Sequence, residues 1–198
     1  MLVTVFDREE LDGREDLLTR AERRCLVDAR FGARRRAEWI AGRVAARRAL
    51  GRLLGDDAPS VSVVSAPSGA PRALGRPDLS ISLSHDGAWV AVAATRRQRR
   101  RTRVAIDLCD ARHEDRVRRL LGRLSIDGTG DPLSPCATWA ALECILKLRR
   151  LGIASLLDAR IGLSPVEADT VQISGLGASA TVTRAETENF ALAWAVEA

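Results

Sequence analysis

The chain repeats itself. Residues 1–98 and 99–198 carry one plan twice, at an offset of about one hundred residues. VTVFD at 3–7 returns as VAID at 104–107, each a short apolar run closing on an aspartate. Trp39 returns as Trp139, opening WIAGRVAAR in the first half and WAALECILK in the second. SISLS at 80–84 aligns with VQIS at 171–174, and WVAVA at 89–93 with FALAW at 190–194. A duplication of this kind constrains the fold strongly, because whatever architecture suits one half must suit the other. Within each half a strand is followed by a helical stretch and then by short strands, and strands grouped after helices indicate α+β rather than a parallel α/β sheet. The expected fold is an α+β pseudo-dimer of two similar halves, 1–98 and 99–198. Each half would pack a long helix on a small, mostly antiparallel sheet.

The local signals agree with that plan. Alanine, leucine and arginine, with apolar positions recurring at a helical period, predict helices after Trp39 and Trp139. Strict alternation in SISLS marks a half-buried strand, and Asp86 followed by Gly87 marks the turn out of it. The arginine-rich run at 96–103 predicts a solvated linker, since clustered like charges resist packing. A Gly- and Pro-rich loop is expected at 127–135.

Composition narrows the setting. The four cysteines, Cys25, Cys109, Cys136 and Cys144, form no CxxC pair and predict reduced thiols in a cytoplasmic protein. The first residues read as a strand, too short for a signal segment, and no apolar run is long enough to span a bilayer, so no membrane is expected. A net charge of +5 favours an acidic partner such as phosphates, nucleic acid or an acidic protein. An arginine-rich RNA-binding protein would need side chains on which bases stack. Four tryptophans, three phenylalanines and no tyrosine supply few, so nucleic acid is not the expected partner.

All but one of the 31 basic residues are arginine; the exception is Lys147. An ammonium is a compact donor that can give up its proton, which a guanidinium cannot. Lys147 follows Glu143 by four residues, the spacing also of an ordinary helical Glu–Lys surface pair. Asp107 at a strand end and Glu143 on a helix are hard oxygen donors suited to Mg²⁺. A magnesium held by two carboxylates keeps waters and takes substrate phosphate to complete its octahedron. Arg35, Arg36, Arg43 and Arg47 supply guanidinium forks for phosphate, and Ser84 and His85 further donors. Together these residues suggest a diphosphate substrate and phosphoryl-type transfer by positioning and charge neutralisation.

With these segments in order, the chain resembles the 4′-phosphopantetheinyl transferases of the larger, two-half type. That family carries a Ser-His segment, a G-[IV]-D-x-E strand and a W-x-x-K-E-x-x-x-K helix, which Ser84–His85, Ala105–Cys109 and Trp139–Lys147 resemble here. The stretch from Arg35 to Arg47 is similar to the siderophore-synthase subgroup, and Gly69 and Pro71 stand where the family has a G-x-P turn. The resemblance implies transfer of 4′-phosphopantetheine from coenzyme A to a serine of an acyl or peptidyl carrier protein, by a monomer. It implies that Asp107 and Glu143 bind Mg²⁺, that Glu143 is the base, and that Lys147 stabilises the pyrophosphate and the leaving 3′,5′-ADP. Arg35, Arg43 and His85 would hold coenzyme A phosphates, with Ser84 orienting the adenylate end. Cys109, Leu142 and Ser68 depart from the family pattern, which has an acid and two basic residues there. They leave open a second reading, a member that keeps the fold and coenzyme A binding but does other chemistry or none.

Overall fold

Small side chains let each long helix lie close on its sheet. A computed structural model describes residues 1–55, 61–99, 102–128 and 133–197. The chain folds as two compact units, Met1–Val104 and Ala105–Glu197. The first runs β1 (Leu2–Asp7), α1 (Arg20–Asp28), α2 (Ala33–Leu54), β2 (Val63–Ser65), β3 (Pro71–Ala73), β4 (Leu79–Asp86) and β5 (Trp89–Arg96). The second runs β6 (Arg103–Asp110), α3 (Glu114–Leu121), β7 (Ser125–Gly128), α4 (Pro135–Arg149), β8 (Arg160–Glu167), β9 (Thr170–Ser174), β10 (Ala180–Glu186) and β11 (Phe190–Glu197). The division of the chain falls inside β6.

In the first unit the antiparallel order is β1-β5-β4, and β2 and β3 form a separate hairpin. Ala41, Ala45, Ala46 and Ala49 of α2 are fully buried and share a core with Val44, Leu50, Ile81, Val90 and Val92. Helix α1 begins with a capping box: Thr19 Oγ1 accepts from Glu22 N, and Glu22 Oε2 accepts from Thr19 N at 2.8 Å. The Asp86–Gly87 turn is present, with Gly87 at φ 55°. The G-x-P segment also turns, and Gly69 there has φ 81°, a conformation that other residues resist.

In the second unit the strand order is β6-β11-β10-β9-β8-β7, with β7 and β8 parallel. Helix α4 starts at Ser134, whose hydroxyl accepts from Ala137 N, with Pro135 in the first turn. Ala137, Ala141, Leu142 and Ile145 are buried with Ile161, Val171, Ile173, Val182 and Ala193. The chain is therefore α+β, with mostly antiparallel pairing.

Three expectations need revision. In each unit the first strand lies beside the last, and the last beside the penultimate. By sheet position the partner of β4 is thus β10, not residues 171–174, which belong to β9 one strand further out. Alternating polar and apolar residues at both places made the two strands look alike in sequence. The short-strand meander is also unequal: the second unit adds α3 and β7, and the first leaves β2 and β3 outside its main sheet. The expected linker at 96–103 is strand at both ends, and Arg97 Nε donates to Leu79 O at 2.8 Å. Its residues 100 and 101, and residues 129–132 of the expected Gly/Pro loop, lie outside the described residues.

Candidate active site

In the second unit, alternation along β6 turns Ala105, Asp107 and Cys109 to one face, and Ala105 and Cys109 join the core under α4. Asp107 on that face is 5% exposed. Glu143 and Lys147 lie one turn apart on α4. The Lys147 ammonium donates to Asp107 Oδ1 at 2.6 Å and to Ile106 O at 3.1 Å. The helical Glu–Lys spacing thus serves a lysine that reaches across to a strand. Glu143 is half-buried and, among the described residues, has no hydrogen-bond or ion-pair partner. Burial first, and then the charge of Asp107, push its carboxyl above the ordinary range, against the opposing charge of Lys147. A poorly solvated carboxylate beside a second one attracts a cation, so the pair fits a hard divalent ion completed by water and phosphate. Among the described residues no group of three or more metal-binding side chains occurs.

Neighbouring groups do not extend that donor set. The Cys109 thiol is buried and donates to Asp110 O at 3.8 Å, and Cys136 donates to the same carbonyl at 3.5 Å. Asp110 caps the turn after β6, with both oxygens taken by Arg112, which holds its carboxyl below the ordinary range. Burial drives the Cys144 thiol far up, so it stays protonated and inert. Leu142 is fully enclosed in the core, where a lysine could not keep its charge hydrated.

The first unit holds a different anomaly. Arg43 is 6% exposed, yet among the described residues its guanidinium meets no carboxylate. Nη2 donates to Ser65 Oγ at 2.9 Å, the group stacks over Trp39 at 4.5 Å, and Nε is buried without a partner. Burial pulls its pKa down, with the charge of Glu22 opposing. Trp39, packed against the core of its unit, is also the platform for this cation.

The other arginines have different duties. Arg47 pairs with Glu22 at 2.6 Å, and Glu22, at 0% exposure, also accepts from Val63 N at 2.7 Å. Arg36 pairs with Glu15 at 2.9 Å. Both were candidate phosphate forks, but their partners are structural acids that spacing alone did not reveal. Arg35 is largely exposed, 3.7 Å from Glu38. Burial pushes the Glu38 carboxyl up, but the Arg34 hydrogen bond and the charge of His85 outweigh it and leave it below the ordinary value. His85 is exposed at the end of β4 and Ser84 is buried. As neighbours in a paired strand they face opposite sides of the sheet.

Glu22 and Ser65 were missed as organising residues. The capping-box spacing from Thr19 to Glu22 was a readable signal for the helix start, but nothing local announces the bond to Arg47.

Residues 21–95 match the family model described as the 4′-phosphopantetheinyl transferase N-terminal domain. The matched stretch holds Arg35, Arg43, Ser84 and His85 and stops before Asp107, Glu143 and Lys147. It supports the phosphopantetheinyl transferase family, and so a transferase, for the part of the chain it covers. No match was found among curated proteins. No helix among the described residues is long and apolar enough to cross a membrane.

Proposed function

We propose that the chain is a phosphopantetheinyl transferase of the larger, two-half type, moving 4′-phosphopantetheine from coenzyme A to a serine of an acyl or peptidyl carrier protein. The observation that carries this reading is the half-buried Glu143, its carboxyl pushed up and, among the described residues, lacking a hydrogen-bond partner, next to the Asp107–Lys147 pair. A carboxylate made more basic by its surroundings suits proton removal from an acceptor hydroxyl. The serine oxygen then bonds to the phosphorus that bears pantetheine, the pyrophosphate P–O bond breaks, and 3′,5′-ADP leaves. Asp107 and Glu143 would hold Mg²⁺, which when bound neutralises charge on the pyrophosphate. Lys147 would stabilise the leaving phosphate. Arg43, with Arg35 and His85, would bind coenzyme A phosphates, and Ser84 the adenylate end. Arg43 has the best support, because a buried cation that meets no carboxylate among the described residues gains most from an anionic ligand.

A second reading is favoured by Cys109 and Leu142, both sunk in the core where the family pattern has an acid and a lysine. It makes the chain a coenzyme A-binding relative without transfer. Mass spectrometry of an apo carrier protein incubated with coenzyme A and Mg²⁺ separates the two. Transfer predicts a phosphopantetheine mass gain with the native protein and its loss with Glu143→Gln. Coenzyme A binding without any mass gain supports the second reading, and a native-like rate for Glu143→Gln removes Glu143 from the mechanism.

A further inference from the structure

Arginine fills every other basic position of the chain, so the lysine at 147 calls for a reason. Its ammonium touches both the Asp107 carboxylate and the Ile106 carbonyl of one strand. The side chain is 32% exposed while that of Asp107 is 7% exposed, so the carboxylate is the enclosed partner and the lysine the one able to leave. A compact ammonium on four rotatable bonds can swing away, whereas a guanidinium fork tends to lock a carboxylate through two parallel bonds. Glu143, one turn away, feels the negative charge of Asp107 and the positive charge of Lys147 together.

We propose that Lys147 is the resident counter-ion of Asp107, displaced when a divalent cation binds that carboxylate and so released toward the phosphate of the substrate. This rests on the metal reading above and adds an order to it. A divalent ion and an ammonium repel each other at one carboxylate oxygen, so metal entry works against the 2.6 Å bond. The bridge therefore lowers metal affinity in the substrate-free protein. A diphosphate offers the displaced ammonium a new partner, so metal and coenzyme A bind cooperatively, each raising the affinity for the other. In the absence of metal the same bridge gives the enclosed carboxylate a counter-charge.

Because the chain has a single lysine, isotope labelling of that residue type gives one side-chain resonance, and it reports Lys147 alone. Mg²⁺ is titrated into the full chain without coenzyme A and followed by that resonance and by calorimetry. The resonance should move in step with Mg²⁺ binding and should cease to respond in Asp107→Asn. Lys147→Met should bind Mg²⁺ about three- to tenfold more tightly than the native protein, the scale of one partly exposed ion pair. Lys147→Arg should bind it no more tightly. Should Lys147→Met fail to fold, the native resonance decides. Mg²⁺ binding with an unmoved resonance, or with a folded Lys147→Met no tighter than native, overturns the counter-ion role and leaves the metal reading in place. Absence of Mg²⁺ binding in the native protein, with and without coenzyme A, overturns the metal reading and this inference with it.

Discussion

Helices α2 and α4 carry the same tryptophan-led spacing with opposite charges at its centre. Four residues after Trp39 stands Arg43, and four after Trp139 stands Glu143; eight residues on are Arg47 and Lys147. In both helices the later position is a cation bonded to a carboxylate from another element, Glu22 of α1 or Asp107 of β6. In both, the nearer position is a charged group with no ion-pair partner among the described residues, a cation in the first unit and an anion in the second. One position ties the helix to its unit. The other has no such tie among the described residues, and on the function proposed above its sign would suit a phosphate in one unit and a metal or proton in the other.

The largest effect should come from the tying position of the first unit. Glu22→Gln leaves Arg47 without its buried acid and should lower unfolding free energy by about 3–5 kcal/mol in denaturant titrations. A cost near zero would break the comparison, because Glu22 would then not be a fixed partner. Next comes the available position. Arg43→Met keeps volume but removes the unpaired charge, so coenzyme A binding should weaken by about 1.5–3 kcal/mol by calorimetry. Its stability should stay level or rise, opposite to Glu22→Gln. Unchanged affinity would detach Arg43 from phosphate binding.

The smallest effect concerns Glu143 and pH. Its folded-state pKa is raised, so the native protein holds this proton more tightly than the unfolded chain does. Stability from this group is therefore fully present below the unfolded pKa, about 4.3 for a glutamate, and is lost as pH rises through the higher folded value. Glu143→Gln should raise the melting temperature of metal-free protein at neutral pH, and the gain should vanish in acid. A gain that persists at low pH would point to packing rather than charge.

The class of fold, the helical stretches that hold Trp39 and Trp139 and the Asp86–Gly87 turn were legible because each depends on residues near in sequence, although both helices begin upstream of the tryptophans expected to open them. Asp107 and Glu143 could be paired by the chemistry of their donors and Lys147 joined to them by its singularity and spacing, and the structure brings the three to one place. The roles of Arg36 and Arg47 were not legible, since partners such as Glu15 and Glu22 are chosen by tertiary packing and a charged residue looks the same whether paired or free. The match of β4 to the wrong later strand has a related cause. Alternation identifies a strand but says nothing of its place in the sheet.

The strand order also sets a schedule. β6, which carries Asp107, lies beside β11 in its sheet, and the other four strands of that sheet come between the two along the chain. Pairings between segments so far apart along the chain are slow to form. During synthesis the aspartate is present long before the strand that seats it, and the lysine waits nearby with no fixed carboxylate to meet. The contact that seats the aspartate is therefore a long-range one, and the site depends on a strand made after the others of its sheet.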